Sequence, residues 1–183
     1  MECHSFEKGD YALIRKSSLA AVIVLVATTV THAQNDPYVA YLEGVEADSI
    51  RDGDTPLIQI RMFGIDTPEK EQMCERPNGS CYPCGQRATW VLSGLLVGEA
   101  TYRFTGESTY GRPVATIFMG QKDINLEMVR LGHAVVYERY LAQEMLDRYL
   151  EVQREAKDAE RGVWQGNFIQ PEEWRNGKRL ACE

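Results

Sequence analysis

The sequence is short of positive charge, has no apolar run of membrane-spanning length, and contains neither internal repeats nor low-complexity tracts. It carries 20 lysines and arginines against 27 aspartates and glutamates, a net charge of −7. That is the wrong sign for a protein that coats nucleic acid by neutralising phosphates. An enzyme acting on nucleic acid is still allowed, because its charge need only be right at the site; weak, transient substrate binding is then expected. The apolar run Leu19–Val30 has twelve residues, whereas a membrane-crossing helix needs roughly 20.

What precedes and follows that run gives it a meaning. Arg15 and Lys16 stand before it and Thr31-His32-Ala33 after it. A basic region, an apolar stretch and small residues form the anatomy of a secretory signal peptide. The run also lacks the polar stripe of a soluble core helix. Residues 1–33 are therefore expected to be a signal peptide and 34–183 a single domain, with export to the periplasm or outside the cell. No stable membrane association is expected after cleavage. Thr31-His32-Ala33 only partly fits the small-x-small pattern, so a retained anchor is the alternative. Cleavage removes three basic and three acidic residues, leaving 150 residues with the same net charge, enough for one core. It also removes Cys3. Cys74, Cys81, Cys84 and Cys182 form an even set, and in an exported chain disulfides are expected. Four cysteines allow three pairings, and the sequence leaves all three open.

Along the chain, Tyr38–Ala47 and Leu57–Ile65 read as strands, with the turn-forming Asp52–Pro56 between them. Lys70–Pro83 is a polar loop. Gln86–Leu96 places Ala88, Val91, Leu92, Leu95 and Leu96 on one helical face. Ala100–Thr105 and Val114–Met119 read as strands around a turn at Ser108–Pro113. Asp123 caps a short helix that Gly132 ends. His133–Tyr137 reads as a strand, and Ala142–Arg161 as a charged amphipathic helix. Short strands with interspersed helices suit a small barrel such as the OB-fold.

The chemistry concentrates in Arg61-Met62-Phe63-Gly64-Ile65-Asp66-Thr67-Pro68-Glu69 and in Tyr110-Gly111-Arg112. In a regular strand Arg61 and Asp66 would face opposite ways, so a break near Gly64 is needed to bring them together. The Thr-Pro turn stiffens the position of Glu69. Arginines beside carboxylates suit phosphodiester hydrolysis. Guanidinium groups bind the equatorial oxygens of the phosphorane-like transition state in pairs. Carboxylates hold a hard divalent cation, and one can take the proton of the attacking water.

Through GIDTPE (Gly64–Glu69), YGR (Tyr110–Arg112) and GVW (Gly162–Trp164) the chain resembles the staphylococcal, or micrococcal, nuclease family over roughly 38–164. The resemblance implies an α+β fold, an OB-fold five-stranded barrel with three helices, and calcium-dependent cleavage of DNA and RNA; a monomer is expected. It implies that Asp66 and the Thr67 carbonyl bind Ca2+. It further implies that Glu69 positions or deprotonates water, and that Arg61 and Arg112 bind the phosphate. The family's other metal aspartate lies in a D-G-D-T motif, which Asp52-Gly53-Asp54-Thr55 matches. A full hairpin must separate that aspartate from Arg61, however, and only six residues follow Asp54 before it. Asp48 leaves twelve, room for two short strands and a turn. Asp48 is therefore preferred, although Glu46-Ala47-Asp48-Ser49 lacks the family's glycine.

Taken singly, these residues have plainer readings: an edge-strand arginine, turn acids, solvated charges. Their combination lifts them. The alternative function is a catalytically inactive barrel that binds nucleic acid or protein; retention of Arg61, Glu69 and Arg112 together argues against it. A second alternative is redox chemistry at Cys81-Tyr82-Pro83-Cys84, but a polar loop precedes that motif where a redox site would follow a strand. Zinc at Cys74, Cys81 and Cys84 is disfavoured by export. His133 reads as a packing residue, and Tyr110, Tyr137 and Tyr140 as either base-stacking or half-buried tyrosines.

Overall fold

The computed structural model describes residues 49–182. The signal-peptide reading of Met1–Ala33, the strand expected over Tyr38–Ala47 and Asp48 lie outside the described residues. No helix among those described is long and apolar enough to cross a membrane.

The apolar run Leu57–Ile65 does not form one strand. It is shared among three ladders. β1 (Ser49–Asp52) and β2 (Thr55–Leu57) form an antiparallel hairpin. β3 (Arg61–Met62) then runs parallel to β8, and β4 (Ile65–Asp66) pairs antiparallel with β10. A turn at Phe63-Gly64 changes the direction between β3 and β4. Buried Asn125 holds this turn. Its Nδ2 donates to the Phe63 carbonyl at 2.9 Å and the Ala115 carbonyl at 3.1 Å, while its Oδ1 accepts from the Ile117 N–H at 3.0 Å. One amide side chain thereby pairs the Phe63 carbonyl and the Ile117 N–H, and shares the Ala115 carbonyl with the Phe63 N–H, which donates to it at 2.8 Å.

A small β5–β6 hairpin (Cys74–Glu75 with Cys81–Tyr82) fills the loop before α1 (Cys84–Leu95). The longest strands are β7 (Thr101–Thr109) and β8 (Arg112–Met119), paired antiparallel. β9 (Lys122–Asp123) folds back on β8. The β7–β8 turn is tighter than Ser108–Pro113: Tyr110 and Gly111 have φ of 52° and 73°. Two consecutive positive φ values fit the twist of a two-residue hairpin, and glycine takes the second at no steric cost. After β9 come α2 (Ile124–Arg130), β10 (Val135–Val136), α3 (Gln143–Asp158) and α4 (Pro171–Arg175), with 3-10 turns at Glu138–Tyr140 and Gly162–Gln165.

The three expected helices are present, and a fourth follows at the carboxyl end. The fold is α+β, with strand order β3-β8-β7 in the main sheet and β9 beside β8. A closed five-stranded barrel is not formed among the described residues. β4–β10 and β1–β2 are separate two-stranded ladders, built from strands of two to four residues that offer few backbone groups for pairing on both edges.

The core lies between the sheet and the helices. Ile65, Ala88, Leu126, Met128, Val129, Ala134, Tyr149 and Val152 are buried together. As expected, Asp123 caps α2, accepting from the Leu126 N–H at 3.0 Å. Its other oxygen accepts from the Tyr149 hydroxyl at 3.0 Å. Burial, then the neighbouring Asp123 carboxylate, raises the Tyr149 pKa, so α3 is joined to the cap of α2 by a neutral phenol. A second cluster holds Cys74, Tyr82, Cys84 and Val163, with Trp164 and Phe168 packed against it.

Candidate active site

Asp66 ends β4, and its pairing opposite Val135 fixes the backbone there. It is 8% exposed, the one buried acid among the described residues. Beyond Thr67 and Pro68 the chain makes a tight turn. The Gln72 N–H donates to the Glu69 carbonyl at 2.8 Å, and the Glu69 N–H donates to Gln72 Oε1 at 3.2 Å. Gln72 is completely buried, and its Nε2 donates to the Ile169 carbonyl at 2.6 Å. A single side chain thus holds the backbone of Glu69 and ties it to the carboxyl-terminal segment. Gly85, in the first turn of α1, lies against the same turn. A Cβ there would overlap the Glu69 carbonyl, so only glycine lets the helix approach this closely.

Arg61 and Arg112 come together through register. Arg61 pairs with Val114 across the parallel β3–β8 ladder. Paired residues share a face, and so do residues two apart on a strand. Arg112, two before Val114, therefore stands on the same face as Arg61, one diagonal step away, within reach of long side chains. Both are partly exposed, and among the described residues neither makes an ion pair.

The cation that meets Asp66 and Glu69 is one the sequence reading did not single out. Arg175, at the end of α4, donates from Nη2 to Asp66 Oδ2 at 2.7 Å and from Nη1 to Asp66 Oδ1 at 3.0 Å. Nη1 also donates to Glu69 Oε1 at 2.9 Å. The first contact is the two-pronged geometry that guanidinium and carboxylate favour. Hydrogen bonding to Asp66 first, and then to Glu69, raises the Arg175 pKa further above its ordinary value. The local signal for Arg175 was slight, an arginine in Pro171-Glu172-Glu173-Trp174-Arg175, because its partners lie over a hundred residues away in sequence.

Asp52 and Asp54 are exposed at the β1–β2 hairpin, with Gly53 and Asp54 forming its turn. The hairpin therefore stands between Asp48 and Arg61, while Asp48 itself lies outside the described residues.

The cysteines pair as Cys74–Cys84 and Cys81–Cys182. Cys81 and Cys84 belong to different disulfides, which removes both the redox and the zinc readings of that motif. His133 is half-buried, and burial, then the positive charge of Arg87, lowers its pKa. That is the behaviour of a packing residue. Tyr110 and Tyr140 are well exposed, at 89% and 65%, and Tyr140 lies 6.1 Å from Tyr137 between ring centres.

Among the described residues no three acidic, histidine or cysteine side chains cluster as a metal cage. The donors brought together are the Asp66 and Glu69 carboxylates, hard oxygens that suit calcium or magnesium rather than a softer metal. The two carboxylates also converge on one positive charge, that of Arg175. In donor type and convergence the residues fit a hard cation.

A mixed α+β fold with two converging carboxylates just past a strand end, and two arginines on one face of the neighbouring ladder, has the parts of a phosphodiester-cleaving protein. Residues 59–166 match the family model of the staphylococcal nuclease homologues, and the chain belongs to that family. It is 32% identical over 142 residues to a Haemophilus influenzae protein named "Uncharacterized endonuclease", covering 72% of each chain. It is 29% identical over 130 residues to "Probable endonuclease LCL3" of Komagataella phaffii, covering 67% of this chain and 55% of that one. The protein of the same name from Saccharomyces cerevisiae is 32% identical over 130 residues, with 66% and 46% covered. The chain thus spans about half the length of these two fungal relatives.

Proposed function

We propose that this chain is an exported, calcium-dependent nuclease that hydrolyses phosphodiester bonds of DNA and RNA. The observation that carries the reading is the convergence of Asp66 and Glu69 on one cation. The shared face of Arg61 and Arg112, the family membership and the endonuclease names of the relatives support it.

On this reading Asp66, the Thr67 carbonyl and Asp48 hold the ion, which would polarise the phosphate and acidify a water molecule. Glu69 takes the proton of the attacking water. Its place is set by the Gln72 hydrogen bonds and by the close approach of Gly85, so the base does not have to be ordered anew in each turnover. Arg61 and Arg112 bind the phosphoryl oxygens and stabilise the charge that builds on them. Tyr110 and Tyr140 offer exposed rings on which unpaired bases can stack. The net charge of −7 keeps substrate contact brief, which suits repeated cleavage better than storage on a polymer.

The test is degradation of single-stranded DNA by the purified protein beginning at Gln34, with calcium and then with excess chelator. Cleavage is expected only with calcium. In Glu69→Gln it is expected to fall by roughly 10²–10⁴-fold, the range for a lost general base. No cleavage by the correctly folded unmutated protein would overturn the reading and leave a domain that binds without cutting.

A further inference from the structure

The position of Arg175 raises a question about the site proposed above. Its guanidinium takes both oxygens of Asp66, which the proposed ion would use, and one oxygen of Glu69, the proposed base. A calcium ion needs carboxylate oxygens at about 2.3–2.6 Å, and a fixed positive charge on those oxygens repels it.

This arginine is delivered by an anchored element. Pro171, which starts α4, is fully buried. The Ile169 carbonyl, just before the helix, accepts from buried Gln72. Beyond the helix, the guanidinium of Arg179 lies 3.8 Å from the Trp174 ring centre, and Cys182 is joined to Cys81. The segment is thus held on both sides of Arg175. Arg175 itself is 36% exposed in its side chain, against 9% for Asp66, so it approaches the acid from the solvent side, where an entering ion would also arrive.

We infer that the carboxyl-terminal segment is an autoinhibitory latch, in which Arg175 neutralises Asp66 and Glu69 until a divalent cation displaces it. The inference rests on the proposed metal site. α4 and its tether then set the calcium concentration at which the site fills, because the ion must break the guanidinium contacts to bind. Without the ion, the same arginine relieves the repulsion between two acids held close together.

The test is calcium binding to the full chain by titration calorimetry, comparing the unmutated protein with Arg175→Gln and Arg175→Lys. Thermal unfolding is followed with and without calcium. Arg175→Gln is expected to bind calcium roughly tenfold more tightly or more, in the range of coupling between competing ligands. Arg175→Lys, which keeps the charge but loses the fork, is expected to fall between the two. Arg175→Gln is also expected to melt lower than the unmutated protein without calcium, and to regain the loss when calcium is added. Equal or weaker calcium binding by Arg175→Gln would overturn the latch while leaving the calcium site standing. An equal melting deficit with and without calcium would reduce Arg175 to a structural contact and overturn the latch as well. If neither protein bound calcium, the metal site and the latch would fall together.

Discussion

At the scale of single residues, the proposed chemistry rests on the arginines and the turn around Glu69. Arg61 and Arg112 are set on one face of a parallel ladder by register alone. If both bind the phosphoryl group by paired donors, lysine cannot substitute: it offers a point charge without the fork. Arg112→Lys is expected to lower kcat by roughly 10²–10³-fold, the cost of one transition-state donor, with melting temperature unchanged because Arg112 makes no ion pair among the described residues. Steady-state kinetics beside a melting curve would check this. A change confined to KM would instead make Arg112 a ground-state binding residue. Gln72 belongs to the same scale and was not foreseen. In sequence it is one polar residue in a polar loop. Only burial, and its bonds to Glu69 and Ile169, give it a role.

At the scale of elements, the site depends on how closely α1 and the Glu69 turn can meet. Gly85 is the contact point, and its N–H donates to the Gln72 carbonyl at 3.2 Å. Because an added methyl would overlap the backbone of the turn, the helix or the turn must move. Gly85→Ala is expected to cost roughly 1–3 kcal/mol of stability, the range for overpacking a tight contact, measured by urea unfolding. It should also reduce cleavage beyond what the stability loss explains, because Glu69 moves with its turn. A variant that is destabilised yet fully active per folded molecule would show that Glu69 tolerates the shift. Elements with strong periodicity were legible in advance. Asp123 is the cap of α2, as expected, and α3 occupies Gln143–Asp158, inside the expected Ala142–Arg161. The strand Leu57–Ile65 was misread because apolar content is the same whether a run pairs with one neighbour or with three.

At the scale of the whole molecule, two disulfides shape the described domain. Cys81–Cys182 closes a sequence separation of 101 residues, joining the loop before α1 to the tail that carries Arg175. Replacing both cysteines by serine is expected to lower the unfolding free energy by roughly 2–4 kcal/mol, the typical effect of losing a crosslink. Chemical denaturation of the purified variant measures it. An unchanged midpoint would mean that α4 and the tail are held by packing alone.

The local signals were sufficient for some features. The strand end at Asp66 and the hairpin before Arg112 were legible, because each is written in a few adjacent residues. The resemblance implies a hairpin before Arg61, and chain length leaves room for it after Asp48 but not after Asp54; the structure forms it over Ser49–Leu57. What the sequence could not decide was every pairing across a long separation. Four cysteines are equally compatible with three sets of bridges until the fold brings Cys182 to Cys81. Arg175 likewise carries no local mark, being one arginine in a polar tail. Its meeting with Asp66 and Glu69 depends on where α4 docks, and that docking rests on burial of Pro171, the Gln72–Ile169 hydrogen bond and the tail disulfide. These act between segments about a hundred residues apart, where no local pattern records which groups will meet.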